Sequence, residues 1–115
     1  MQINREKYVN QAEGLSRVLG NKGLYTKMLK SFIDKPYLND LLAAVERQDF
    51  QAAVLTAHSV KGIAANLSFP ELFTVMQVAE SALKEGRIQN FNLSEVKEVM
   101  ENTIACISEI INENN

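Results

Sequence analysis

Apolar residues recur at three- and four-residue intervals along almost the whole chain, a period that leaves little room for anything but helices. Leu93, Val96, Met100, Thr103, Ile107 and Ile110 repeat in this way towards the C-terminus, and Phe69, Leu72, Phe73, Met76, Ala79 and Leu83 do so before them. Alternation at period 2 is scarce, and no Asn-Gly or Asp-Gly is present to turn a hairpin. With only 5 Gly and 2 Pro in 115 residues, each interruption of the helical pattern marks a boundary.

Those boundaries divide the chain. A short first helix is expected from Arg5 to Val18, ending at Gly20-Asn21. Asn21 then caps a helix whose apolar face holds Leu24, Tyr25, Met28, Leu29, Phe32 and Ile33. Pro36 either starts a new helix or kinks a long one, because proline lacks an N–H and crowds the preceding turn. Leu38, Leu41, Leu42 and Val45 carry the stripe on. Asp49 reads as the N-cap of a central helix that turns Phe50, Ala53, Val54, Ala57, Ala64 and Leu67 inward. Ser68-Phe69-Pro70-Glu71 fits a capping box for the next helix, and Gly86 ends that helix. A loop from Arg87 to Asn92 leads to the last one. The expected fold is all-α: an antiparallel up-down four-helix bundle with an additional short N-terminal helix, one domain over residues 1–115.

Composition narrows the function. A net charge of −2 argues against a general nucleic-acid binder. No apolar run approaches the roughly 20 residues of a membrane span, and the N-terminus has no apolar signal core. Neither nucleic acid nor membrane is therefore an expected partner. Met1 and a complete set of bundle helices favour a stand-alone protein. The lone cysteine, Cys106, makes no internal disulfide, rules out a Cys-rich zinc site and reads as a buried small hydrophobe. A reducing cytoplasm is the simplest location. The chain carries no glycine-rich phosphate loop, nucleotide signature or acidic magnesium cluster, so it is not expected to be an enzyme that uses ATP.

One stretch stands out chemically: His58-Ser59-Val60-Lys61-Gly62, with the only histidine. At about 100° per residue from Phe50, the apolar stripe of the central helix centres at about −30° and His58 falls at about 80°. Lys61 falls at about 20°, on the shoulder of the core, while Gly62 and Ala65 follow His58 at about 120° and about 60°. The imidazole is thus expected to be reachable, with an ammonium beside it. A lone helical histidine is most often an ordinary surface residue, and Lys61 alone could be a lysine laying its stem along the core edge. Gly62 is harder to explain away, because mid-helix glycine costs about 1 kcal/mol against alanine and serves close packing or close approach of a partner. On the next helix Glu80 lands at about 20° from Phe69, inside the apolar stripe. A carboxylate there needs a partner: His58 or Lys61 across the tight turn, or Lys84 at i+4.

Ala57-His58-Ser59-Val60-Lys61-Gly62-Ile63-Ala64-Ala65-Asn66-Leu67 resembles the signature of histidine-containing phosphotransfer (HPt) domains, approximately A-H-x-L-K-G-A-A-x-N-L-G. The likeness runs from Leu15 to Leu83, with Val60 for leucine and with Ser68, read as an N-cap, where the family often has glycine. It implies that His58 accepts a phosphoryl group through Nε2 from a receiver-domain aspartate or a sensor histidine kinase. Lys61 would stabilise the phosphoryl charge, Glu80 would orient the imidazole, and Gly62 would leave room for the receiver. Gln51, Leu55, Ser59, Ala65 and Phe69 complete the expected docking strip. No cofactor of its own is implied; Mg2+ would sit on the receiver. Two other readings stand beside this one. An HPt-like adaptor would bind a receiver or kinase without being phosphorylated. A metal-binding bundle is poorly served by one histidine with no Glu-x-x-His pattern.

Overall fold

The computed structural model describes residues 4–114; residues 1–3 and 115, the ends of the expected domain, lie outside the described residues. Seven α-helices follow one another: α1 (Arg5–Tyr8), α2 (Gln11–Arg17), α3 (Lys22–Ile33), α4 (Tyr37–Glu46), α5 (Phe50–Leu67), α6 (Pro70–Lys84) and α7 (Leu93–Glu113). A 3-10 turn over Ile88–Asn90 interrupts the loop before α7. Four starts share one device. The side chains of Asn10, Asn21, Asp49 and Asn92 accept hydrogen bonds from the backbone N–H three residues on, at 3.0–3.2 Å. Each such cap stabilises its helix by about 1 kcal/mol.

Three boundaries differ from expectation or decide between alternatives. The first helix is two, because Val9 is extended (φ −140°) and buried while Asn10 caps a fresh start. Pro36 starts α4 rather than kinking a longer helix. Ser68 does not cap α6. It ends α5 in the left-handed region at φ 65°, with the Phe69 N–H donating to the Ala64 carbonyl, and Phe69 precedes Pro70 without a side-chain cap. A left-handed conformation is one that glycine adopts freely and other residues adopt at a cost. Glycine would occupy this position without that cost. Here the serine offsets the strain with contacts of its own: its hydroxyl donates to Glu13 at 2.9 Å, and its carbonyl accepts from the Asn10 N–H at 2.9 Å. Ser68 thereby fastens α2 to the α5–α6 corner. Tyr25 adds a second fastening, donating its hydroxyl to the Leu67 carbonyl at 2.9 Å, with Gly14 so close beneath that a Cβ there would lie 2.5 Å from the ring.

The bundle closes as a ring in which α5 packs on α6, α6 on α7, α7 on α3 and α3 on α5, while α4 lies along α5. Consecutive long helices joined by short connections reverse direction, as an up-down bundle requires. Leu29, Leu41, Ala53, Ala57, Leu72, Met76, Met100 and Ile107 meet at the centre with at most 1% exposure. Val60, outside the expected inward set, is fully buried there too. Cys106 is also buried, and burial pushes its thiol pKa up, away from the reactive thiolate. Among the described residues no helix is long and apolar enough to cross a membrane.

Candidate functional site: the α5–α6 seam around His58

Adding Val60 to Ala53, Ala57, Ala64 and Leu67 rotates the buried arc of α5 to about −60° on the same wheel, so His58 stands about 140° from the core direction. The structure agrees: the His58 side chain is 65% exposed, while Lys61, nearer the core, is 26% exposed. Gln51, Leu55, Ser59, Gly62 and Ala65 are exposed as expected and share the outer face of the helix with His58. Leu55 is 64% exposed, an apolar side chain left largely open to solvent. Phe69 is a correction. Expected at the edge of the strip, it is fully buried and packs on Phe32 with ring centroids 5.3 Å apart. It belongs to the core because the left-handed turn at Ser68 folds it inward.

Gly62 also resolves one of its alternatives. A Cβ built there meets nothing within 4 Å, so packing inside this molecule does not require glycine. The open space lies on the outer face, one turn beyond His58.

Across the seam, α6 delivers Glu80 from within its apolar stripe, and only 8% of that side chain remains exposed. All three partners suggested by the sequence reach it. Lys61 Nζ lies 2.7 Å from Oε1, His58 Nδ1 2.8 Å from Oε2, and Lys84 Nζ 3.8 Å from Oε2. Among the described residues no buried side-chain polar atom lacks a hydrogen-bond partner, so the cost of burying this carboxylate is met. The Lys61 ammonium holds the Glu80 carboxyl below its ordinary pKa, and the His58 hydrogen bond adds to that effect while burial opposes it. Glu80 is therefore ionised at neutral pH. An ionised carboxylate only accepts hydrogen bonds, so Nδ1 of His58 must be the donor. In the neutral ring this leaves the lone pair on Nε2, the nitrogen not engaged by Glu80.

The electrostatics can be checked by acid. Because the folded-state pKa of Glu80 is lowered from 4.5, its charged form stabilises the fold fully above that value. The contribution is lost as pH falls through the lowered pKa. The difference in urea midpoint between wild type and Glu80→Gln should thus be constant just above the ordinary carboxylate range and shrink steadily below it. A difference that does not change on acidification would mean that the ion pairs are not its source.

Among the described residues no three His, Cys, Asp or Glu side chains converge to hold a metal ion. The arrangement is instead an exposed nucleophilic nitrogen on a helix face, fixed in tautomer by a buried carboxylate and flanked by two ammonium groups. Lys84 joins the site through its i+4 spacing from Glu80, the one signal of its place that the sequence carries. Against this geometry, the comparison with known families is specific. Residues 28–106, more than half of the chain, match the family described as the Hpt domain. No curated protein and no solved structure matches the chain significantly.

Proposed function

The chain belongs to the Hpt domain family, whose domains carry phosphoryl groups on histidine in two-component signalling, and from that premise we propose that His58 is the phosphoacceptor. The observation that carries this reading is the His58–Glu80 contact at 2.8 Å on an otherwise exposed imidazole. The Nε2 lone pair would attack the phosphorus of a receiver aspartyl phosphate. The new bond is N–P, the bond that breaks is the acyl phosphate P–O, and the electron pair leaves with the aspartate carboxylate. The phosphorylated ring keeps its Nδ1 hydrogen and gains positive character, which the Glu80 carboxylate opposite stabilises. Reversal uses the same contacts, so phosphate can flow either way.

Lys61 and Lys84 exceed Glu80 by one positive charge, and in this reading the excess neutralises part of the incoming phosphoryl group. The Mg2+ ion and the acidic pocket that hold the aspartyl phosphate belong to the receiver. Gln51, Leu55, Ser59, Gly62 and Ala65 would form the surface on which it docks, with Leu55 as the apolar contact. The chain acts as a carrier, in a relay we place in the cytoplasm.

The test is transfer itself. Incubation with a phosphorylated receiver should give the chain an acid-labile, base-stable label that peptide mapping assigns to His58. Label on Ser59, or none with any receiver or kinase of the source organism, would overturn the assignment.

A further inference from the structure

The seam diagonally opposite His58 has a chemistry of its own. In the ring of helices, α5–α6 faces α7–α3, and the latter seam holds an open groove of about 380 Å³. Lys22, Lys27 and Lys30 line it together with Gly23, Thr26 and Asn114. Lys22, Thr26 and Lys30 are spaced four residues apart, so they form one line about 12 Å long on α3, with Lys27 beside it. All three lysines are exposed, and among the described residues none makes an ion pair with a carboxylate.

This concentration of positive charge is out of keeping with the rest of the chain. Helix α3 carries three lysines and no acidic residue, in a protein whose net charge is −2. We propose that the α3–α7 groove is a second docking surface, built for a short acidic segment of a partner protein and able to be occupied while the His58 strip engages a receiver. Lysines with no carboxylate partner among the described residues attract such a segment and steer its approach, while Thr26 and Asn114 supply hydrogen-bonding groups between them. Length decides against an extended polyanion such as nucleic acid. At its α7 side the groove is lined by Asn114, which follows that helix, and α7 itself carries five glutamates against one lysine, so an anion running on from the groove along α7 meets like charge.

Hexaglutamate peptide is a direct probe, read by amide chemical shifts of the whole chain. It should shift residues of α3 around Lys22, Lys27 and Lys30, leave His58–Gly62 unmoved, and weaken as salt is raised. The triple variant Lys22→Gln, Lys27→Gln, Lys30→Gln should lose affinity about tenfold, whereas Lys7→Gln, Lys35→Gln, Lys97→Gln should change it less than about twofold. Phosphorylation of His58 should proceed in the first variant as in wild type, which separates failure of this groove from failure of the His58 assignment. Equal losses in the two triple variants, or shifts spread over all lysines, would overturn the proposal. Tighter binding of a dT10 oligonucleotide or of phosphatidylglycerol vesicles to the same lysines would overturn the choice of an acidic protein segment.

Discussion

His58→Gln is expected to bring phosphoryl labelling to background while changing stability by no more than about 0.5 kcal/mol. The first half follows from scarcity: the chain has one histidine, so no second imidazole can substitute. The second half follows from exposure. The His58 side chain is 65% exposed, and its hydrogen-bond partner, Glu80, keeps Lys61 at 2.7 Å after the ring is gone. The glutamine amide can itself donate to Glu80, so no buried acceptor is stranded. Matched urea midpoints with lost label would separate chemistry from folding. The same variant discriminates the adaptor reading, in which receiver or kinase binding and the downstream signal would survive intact without label. Label retained in His58→Gln would remove His58 from the mechanism altogether.

The periodicity of α5, α6 and α7 was enough to place those helices and their inner faces, because a 3.6-residue repeat is imposed by burial along one side of a helix. The same arithmetic put Glu80 inside an apolar stripe and so flagged half of the site from sequence. What escaped was decided by backbone conformation and by contacts distant in sequence. Ser68-Phe69-Pro70-Glu71 satisfies the pattern of a capping box, yet the chain spends Ser68 on a left-handed turn that fastens Glu13 and Asn10, 55 and 58 positions earlier by numbering. No local signal reveals those partners. Phe69 carries two expectations, a place in the apolar stripe of its helix and a place at the edge of the docking strip, and the turn at Ser68 decides for the first by folding the ring into the core. The break at Val9-Asn10 was legible in principle, since Asn10 precedes Glu13 at N-cap spacing, but the apolar rhythm ran through it. Lys61 lies on the shoulder of the core as its place on the wheel predicts, and of the partners the sequence offers Glu80 it stands nearest, at 2.7 Å, an order that the packing of α5 on α6 decides.

Gly62→Leu is expected to move stability and transfer in opposite directions. Leucine is a strong helix former, and a Cβ at this position meets nothing within 4 Å, so removal of the glycine penalty should raise stability by about 0.5–1 kcal/mol. The same side chain would stand one turn from His58 on the outer face, in the path of a docking receiver. In-line transfer depends on close alignment, and a displacement of about 1 Å costs on the order of a hundredfold, so transfer to and from a receiver should fall by at least that much. Gly62→Ala adds one methyl group and should lie between, stabilised with a smaller loss of transfer. The sign of the stability change matters most here. A residue retained for packing would destabilise the fold when replaced, and a residue retained for the partner would not. Small phosphodonors such as acetyl phosphate need no protein surface, so any slow labelling of His58 by them should be unaffected by Gly62→Leu. A higher urea midpoint together with normal receiver transfer would show that glycine is not kept here for docking. A lower midpoint would return Gly62 to the service of the fold.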